Sequence, residues 1–279
     1  MFMVSDWILQ QLTSIFSKIG NVGNDLLLKT LRDFNPTVSQ GINSIQTGVI
    51  RPVAYTILAL FLLLELNHII VRFEGQQGTM GVELPLKLMF KFVVFKMVID
   101  KVGTILGAME YVAMKIIGGI ARLPDVSPGG TWEANLGAIE VTLNGMSWWS
   151  SIMLAMNVFI LGLIVSLTLI IIKVIIIARF FELFVLTAIA PLPIATMPSD
   201  DLGIAKNFFK NYAAVLLHGV FIFIIISIMP MLVGGAFFQA GGDGIDALIN
   251  VNGIVGYSVV LLIAVISSGR WAKSICNAM

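Results

Sequence analysis

The chain has 279 residues, 58% of them hydrophobic and only 12% charged, with a net charge of +1. Soluble domains average roughly 45–50% apolar and 25% charged residues, so this composition excludes a water-soluble globular domain and leaves a polytopic membrane protein. So small a net charge also excludes nucleic-acid binding by bulk electrostatics, and the single cysteine, Cys276, permits no internal disulfide.

In the first 34 residues Gln10, Gln11, Thr13, Ser14, Ser17 and Lys18 interrupt any apolar block, which argues against a signal peptide. Ile8, Leu12, Ile15, Phe16 and Ile19 recur at helical spacing opposite a polar face and predict an amphipathic helix, started by Ser5 or Asp6. Such a helix lies in the membrane interface or covers a neighbouring bundle. From Asn35-Pro36 to Gly48 the sequence is polar, with Gly41 and Gly48, and reads as a linker. The expected organisation is therefore an N-terminal helix and linker over 1–48 and a transmembrane domain over 49–279.

The fold class read from these runs is all-α, a polytopic transmembrane helical protein. Spans are expected at about 50 to 72, 88 to 118, 151 to 178 and 211 to 236, with a shorter fifth at 252 to 269. Between the second and third lies a segment with Pro124, Pro128, Gly129-Gly130 and Trp132, and Trp148-Trp149 follow at an interfacial position. Pro191, Pro193 and Pro198 come directly after one of the most apolar runs. A continuous lipid-facing helix through the first two would leave backbone polar groups unpaired. The stretch of about 180 to 200 is therefore expected to be re-entrant: a short helix over about 180 to 190, broken at Pro191, that returns to the side it came from. On that topology Arg72, Lys87, Lys91, Lys173, Arg179, Lys206, Lys210, Arg270 and Lys273 all face the cytoplasm, with the N-terminus outside and the C-terminus cytoplasmic. Lys18, Lys29, Arg32 and Arg51 run against the same bias.

The second expected span carries the ionic groups. At about 100° per residue, Lys87, Lys91 and Lys101 form a narrow stripe, while Lys96 and Asp100, at i and i+4, occupy the opposite side. Lys87 and Lys91 can snorkel to headgroups. Lys96, Asp100 and Lys101 lie deeper, at roughly 2.5–3.5 kcal/mol each on an insertion scale. A Lys96–Asp100 pair along the helix offsets part of that cost, and the stripe still needs water, an acidic partner or another subunit. Glu65 toward Lys96 or Lys91, and Glu182 with Arg179 at i+3, complete the expected intramembrane ion pairs. His218 is expected to be a helix contact rather than a proton relay.

Catalytic signatures are scarce. Glu65-Leu-Asn-His68 has two ligand-type residues at i and i+3, yet a carboxylate-bridged metal centre needs a second such motif. Gly241-Gly242-Asp243-Gly244 reads as a flexible outer turn. No enzyme activity, metal or cofactor is expected.

The run Ala178-Arg179-Phe180-Phe181-Glu182-Leu183, then Leu186-Thr187-Ala188-Ile189-Ala190-Pro191-Leu192-Pro193-Ile194-Ala195-Thr196, then Asn207-Phe208-Phe209-Lys210-Asn211-Tyr212, resembles the TrbL-like family. These are polytopic channel subunits of conjugative type IV secretion systems, and the likeness is greatest to the versions in Gram-positive mobile elements. Asp6-Trp7-Ile8-Leu9 and Asn35-Pro36-Thr37 also look like that group, whereas Pro198-Ser199-Asp200-Asp201 departs from its Gly-Asn turn. The resemblance implies a subunit of the bacterial cytoplasmic membrane that oligomerises with itself, contacts membrane lipids and works with other secretion subunits, including ATPases. It also implies that this subunit helps move relaxase-bound single-stranded DNA, or protein, and it transfers no residue-level active site. A secondary transporter or small-ion channel, with a binding site at the broken helix and protons relayed by Glu65, Asp100 or His218, is the alternative. A purely structural anchor around lipid is the third reading.

Overall fold

A computed structural model describes residues 6–11, 13–14, 18, 26–74, 83–123, 148–198, 203–236 and 244–278, and these are helices joined by short turns, with no strand among them. Residues 6–11 are helical, and Ile8 on the expected apolar face is fully buried. Leu12, Ile15, Phe16 and Ile19 of that face lie outside the described residues, as do Pro124, Pro128, Trp132 and the Gly241–Asp243 turn.

Helix α1 (Leu31–Phe34) starts at Thr30, whose hydroxyl accepts from Asp33 N–H at 3.2 Å. The expected linker is instead helix α2 (Pro36–Ile45), which continues through a π-helical turn (Gln46–Ile50) into α3 (Arg51–Glu74). Asn35-Pro36 is a helix start: Asn35 Oδ1 accepts from Val38 N–H at 3.1 Å, and Pro36 occupies the first turn, where its missing donor costs nothing. Gly41 and Gly48 sit within this helical run at about 1 kcal/mol each relative to alanine, too little to break it.

The expected span over 88–118 is two helices, α4 (Glu83–Asp100) and α5 (Val102–Ile120), which meet at Lys101. The Lys101 carbonyl accepts from both Thr104 N–H at 3.0 Å and Ile105 N–H at 3.2 Å, a local tightening just before Gly103. With Glu83, Lys87, Lys91, Lys96 and Asp100 among its 18 residues, α4 is too charged to qualify as an apolar span, whereas Val102–Ile120 does qualify.

Helix α6 (Trp148–Ile189) runs unbroken for 42 residues, about 63 Å at 1.5 Å per residue. The short helix expected over 180–190 is thus its last three turns rather than a separate element. The break does fall at the prolines: α6 ends, and a five-residue helix, α7 (Pro191–Ala195), follows. Helices α8 (Gly203–Ala236) and α9 (Gly244–Cys276) complete the chain. Among the described residues, five segments are long and apolar enough to cross a membrane: Pro36–Val71, Val102–Ile120, Ser151–Ala195, Gly203–Ile228 and Val255–Cys276.

The chain forms two compact units. The first comprises Met1–Lys29, Ala113–Arg179 and Leu217–Trp271. Along α6, Leu154, Val158, Leu161, Val165, Ile172 and Ile176 are buried at helical spacing, while Met156, Phe159, Leu163, Leu167, Ile170 and Val174 are exposed. An exposed face this apolar is matched to acyl chains. Small hydroxyls fill the contacts between helices, as membrane bundles favour: Ser227, Ser258 and Ser268 are buried, and Ser268 Oγ donates to Val265 C=O at 2.6 Å.

The same unit explains why α6 survives a cation in mid-run. Arg179 is only 5% exposed, and a Cβ built on Gly219 of α8 would fall 1.2 Å from Arg179 Nη1 and 2.3 Å from Cζ. The guanidinium therefore occupies the space that any side chain at 219 would fill. Gly219→Ala should lower the thermal midpoint of the purified protein by displacing that group, with a cost of about 1–3 kcal/mol. Most of the loss should vanish when Gly219→Ala is made in an Arg179→Leu background; an equal loss in both backgrounds would separate the glycine from the arginine.

The second unit comprises Thr30–Val112, Phe180–Leu216 and Ala272–Met279. Its core includes Leu58, Ile99, Leu106, Phe180, Ile194 and Tyr212. Phe34 stacks on Phe180 with centroids 4.2 Å apart and nearly parallel rings.

Candidate functional site

Helices α3 and α4 form an antiparallel hairpin in the second unit, and its polar groups pair across it. Lys91 Nζ lies 3.1 Å from Glu65 Oε1. Ten residues earlier on α3, the Tyr55 hydroxyl donates to Asp100 Oδ1 of α4, and Lys96 Nζ stands 5.9 Å from the centre of the Tyr55 ring. A residue sum near 155 to 156 holds for both contacts, which fixes the hairpin register. Apolar contacts alone would leave that register loose, since α4 has no single apolar face: Met89, Phe90, Val93 and Met97 are all exposed.

The Glu65 pair expected with Lys96 or Lys91 forms with Lys91, and the other contacts change the expected pairing. Lys96 and Asp100 do not pair along the helix, because the Asp100 carboxylate turns to the Tyr55 hydroxyl and Lys96 to the ring of the same residue. Lys91 leaves the expected cationic stripe, because Glu65 neutralises it. Lys87 and Lys101 are exposed and make no ion pair among the described residues. Glu182 is likewise exposed without an ion pair among the described residues, so the i, i+3 pair expected with Arg179 is not formed; Arg179 turns instead to Gly219. His68 is exposed near the far end of α3, and His218 is half-buried, its ring 3.4 Å from where a Cβ on Gly269 would stand.

The proline break sits against this hairpin. Helix α7 packs on α3, α4 and the π-helical turn, with Pro191, Ile194, Ala195 and Pro198 buried and Pro193 half-buried. Pro191 has no N–H, so the carbonyl four residues earlier, that of Thr187, loses its helical donor. Gln46 supplies the replacement. Its side chain is 3% exposed, and Nε2 donates to the Thr187 carbonyl at 2.6 Å. Beyond the break, Thr196 Oγ1 donates to the Pro193 carbonyl at 2.8 Å, and Met197 N–H to the Ile194 carbonyl at 3.0 Å.

Gln46, Tyr55 and Gly219 were not singled out from the sequence. A signal for Gln46 exists: a proline at 191 in an apolar run orphans the carbonyl of 187, so a donor must come from elsewhere. Which residue provides it depends on how distant helices meet, and that information is not local.

Continuous apolar helices, internally paired charges and a compensated proline break define a polytopic helical membrane protein. The chain belongs to the TrbL/VirB6 plasmid conjugal transfer like protein family, whose model matches residues 15–191. The matched region contains the α3–α4 hairpin and ends on Pro191. Neither a curated protein nor a solved structure matches the chain.

Replacing Gln46 with leucine should destabilise the protein by about 1–3 kcal/mol, since it leaves a part-buried carbonyl unpaired. Ala190 keeps right-handed helical angles (φ −49°, ψ −37°), so an N–H at position 191 would point back along α6. Gln46→Leu should therefore cost markedly less in a Pro191→Ala background, read as thermal midpoints of the four proteins; equal costs would dissociate Gln46 from the proline break.

Proposed function

We propose that the chain is a non-enzymatic channel or scaffold subunit of a conjugative type IV secretion apparatus in the bacterial cytoplasmic membrane. It assembles with copies of itself and with other transfer subunits, ATPases among them, and helps relaxase-bound single-stranded DNA or protein leave the cell. Family membership supports the transfer system. The observation that carries the channel reading is the surface of α4 and its junction with α5, where Lys87 and Lys101 stand exposed near Met89, Phe90, Val93 and Met97. Acyl chains suit the methionines and phenylalanine but not the two ammonium groups, and water suits the reverse. A neighbouring subunit that covers the apolar side and leaves an aqueous passage on the other satisfies both. Within that passage the lysines attract phosphates without regard to sequence and with strong salt dependence.

The proposed orientation keeps the N-terminus outside and the C-terminus cytoplasmic. Lys210 Nζ donates to the Asn277 carbonyl at 3.3 Å, so the start of α8 and the end of α9 lie together, and Lys206, Lys210 and Lys273 are basic groups of that end. The positive-inside bias assigns such an end to the cytoplasm.

Lys87→Glu combined with Lys101→Glu should reduce conjugal transfer by at least about tenfold at unchanged membrane levels, because the lysines meet the substrate rather than hold the fold. Transfer at the wild-type frequency with normal protein abundance would remove the passage assignment.

A further inference from the structure

We propose that a polar cavity in the second unit binds a zwitterionic ligand with a primary ammonium beside an anionic group, the chemistry of an aminophospholipid headgroup. The cavity measures about 480 Å³ and lies among α1, α2, α5, α6 and α8, a size suited to a small ligand. Its floor is the Gly103–Gly107 face of α5. A Cβ at Gly107 would meet nothing within 4 Å, and one at Gly103 would come only to 4.0 Å from Gln46 Oε1.

Three acceptors line this space. The amide of the buried Gln46 gives its Nε2 to the Thr187 carbonyl, which leaves Oε1, on the Gly103 side, as its acceptor. Thr187 Oγ1 is buried and without a hydrogen-bond partner among the described residues. The Glu110 carboxyl holds its place by accepting from Leu31 N–H at 2.5 Å, and it is the acidic group of the wall. Arg32, one residue further on, is exposed, lines the same cavity and forms no ion pair among the described residues.

A primary ammonium has three N–H donors and no acceptor, which complements a carboxylate, an amide oxygen and a hydroxyl oxygen. Arg32 supplies the forked donor that phosphate or carboxylate favours. The separated charges, one anionic and one cationic, match a zwitterion better than either a simple cation or a simple anion. Gln46, Glu110, Thr187 and Tyr212 all belong to segments able to cross a membrane, so lipid is the phase that surrounds the site. A choline headgroup has no N–H to offer, and a glycerol headgroup has no cation. The site thus discriminates ethanolamine from both. This inference does not depend on the translocation role.

The full-length chain purified from equimolar phosphatidylethanolamine, phosphatidylcholine and phosphatidylglycerol tests it, with retained lipid measured by native mass spectrometry. The ethanolamine lipid should be enriched about tenfold over each of the others, the discrimination expected of a charged hydrogen bond. Gly107→Leu, which fills the floor, should abolish the preference, whereas Gly118→Leu, on the same helix outside the cavity, should keep it. Soluble glycerophosphoethanolamine separates the two sources of this chemistry. Displacement of the bound lipid shows that the headgroup alone is recognised, and retention of the lipid with its selectivity intact assigns the site to membrane lipid. Equal retention of the three lipids by the wild-type chain, with no binding of glycerophosphoethanolamine, overturns the proposal. So does unchanged selectivity in a correctly folded Gly107→Leu protein. Should that variant fail to fold, the wild-type selectivity alone decides.

Discussion

A chain this apolar can carry polar backbone and charged side chains only where another part of the protein meets them, and the contact between Gln46 and the Thr187 carbonyl is where that constraint is most plainly satisfied. Pro191 removes the donor that would have closed the last turn of α6. The π-helical turn before α3 then delivers an amide to the orphaned carbonyl from 141 residues away in sequence. That single bond ties the start of α3 to the end of α6 and places α7 against the α3–α4 hairpin.

The same rule governs the hairpin. An isolated α4 would be a poor membrane helix, because its charges occupy more than one face and its apolar residues none in particular. Glu65 and Tyr55 convert two of its ionic groups into register marks, and a one-turn slip would separate both pairs at once. Lys87 on α4 and Lys101 at its junction with α5 stay exposed without an ion pair among the described residues. In the first unit, Arg179 follows a different solution: a glycine on α8 makes room for the guanidinium, so a cation is accommodated by packing instead of by a carboxylate on its own helix.

Much of this was legible in the sequence. Apolar runs and proline chemistry gave an all-helical polytopic fold and a helix end at Pro191, and the run around Arg179 to Pro193 pointed to the conjugal-transfer family. Misreadings occurred where a local signal has two physical meanings. Asn35-Pro36 serves a loop and a helix start equally well, and only the hydrogen bond from Val38 N–H decides between them. Asp100 has a lysine one turn away and a tyrosine on another helix, and composition cannot rank a helical neighbour against a tertiary one. The long α6 was divided in expectation because the prolines and the bias of basic residues pointed to a separate re-entrant helix over about 180 to 190, whereas the run continues unbroken to Ile189; the seat of Arg179 on Gly219 depends on a crossing of helices 40 residues apart in sequence, which no periodicity encodes.

Whether the cationic edge formed by Lys87 and Lys101 is bathed in water or in acyl chains decides the proposed passage most directly. A nitroxide attached at Lys101→Cys, in a Cys276→Ser background and in transfer-competent membranes, measures this through its collisions with two relaxing agents. The account predicts strong relaxation by a water-soluble nickel chelate and weak relaxation by oxygen dissolved in the bilayer. Strong relaxation by oxygen with none by the chelate would place Lys101 among lipids and contradict it.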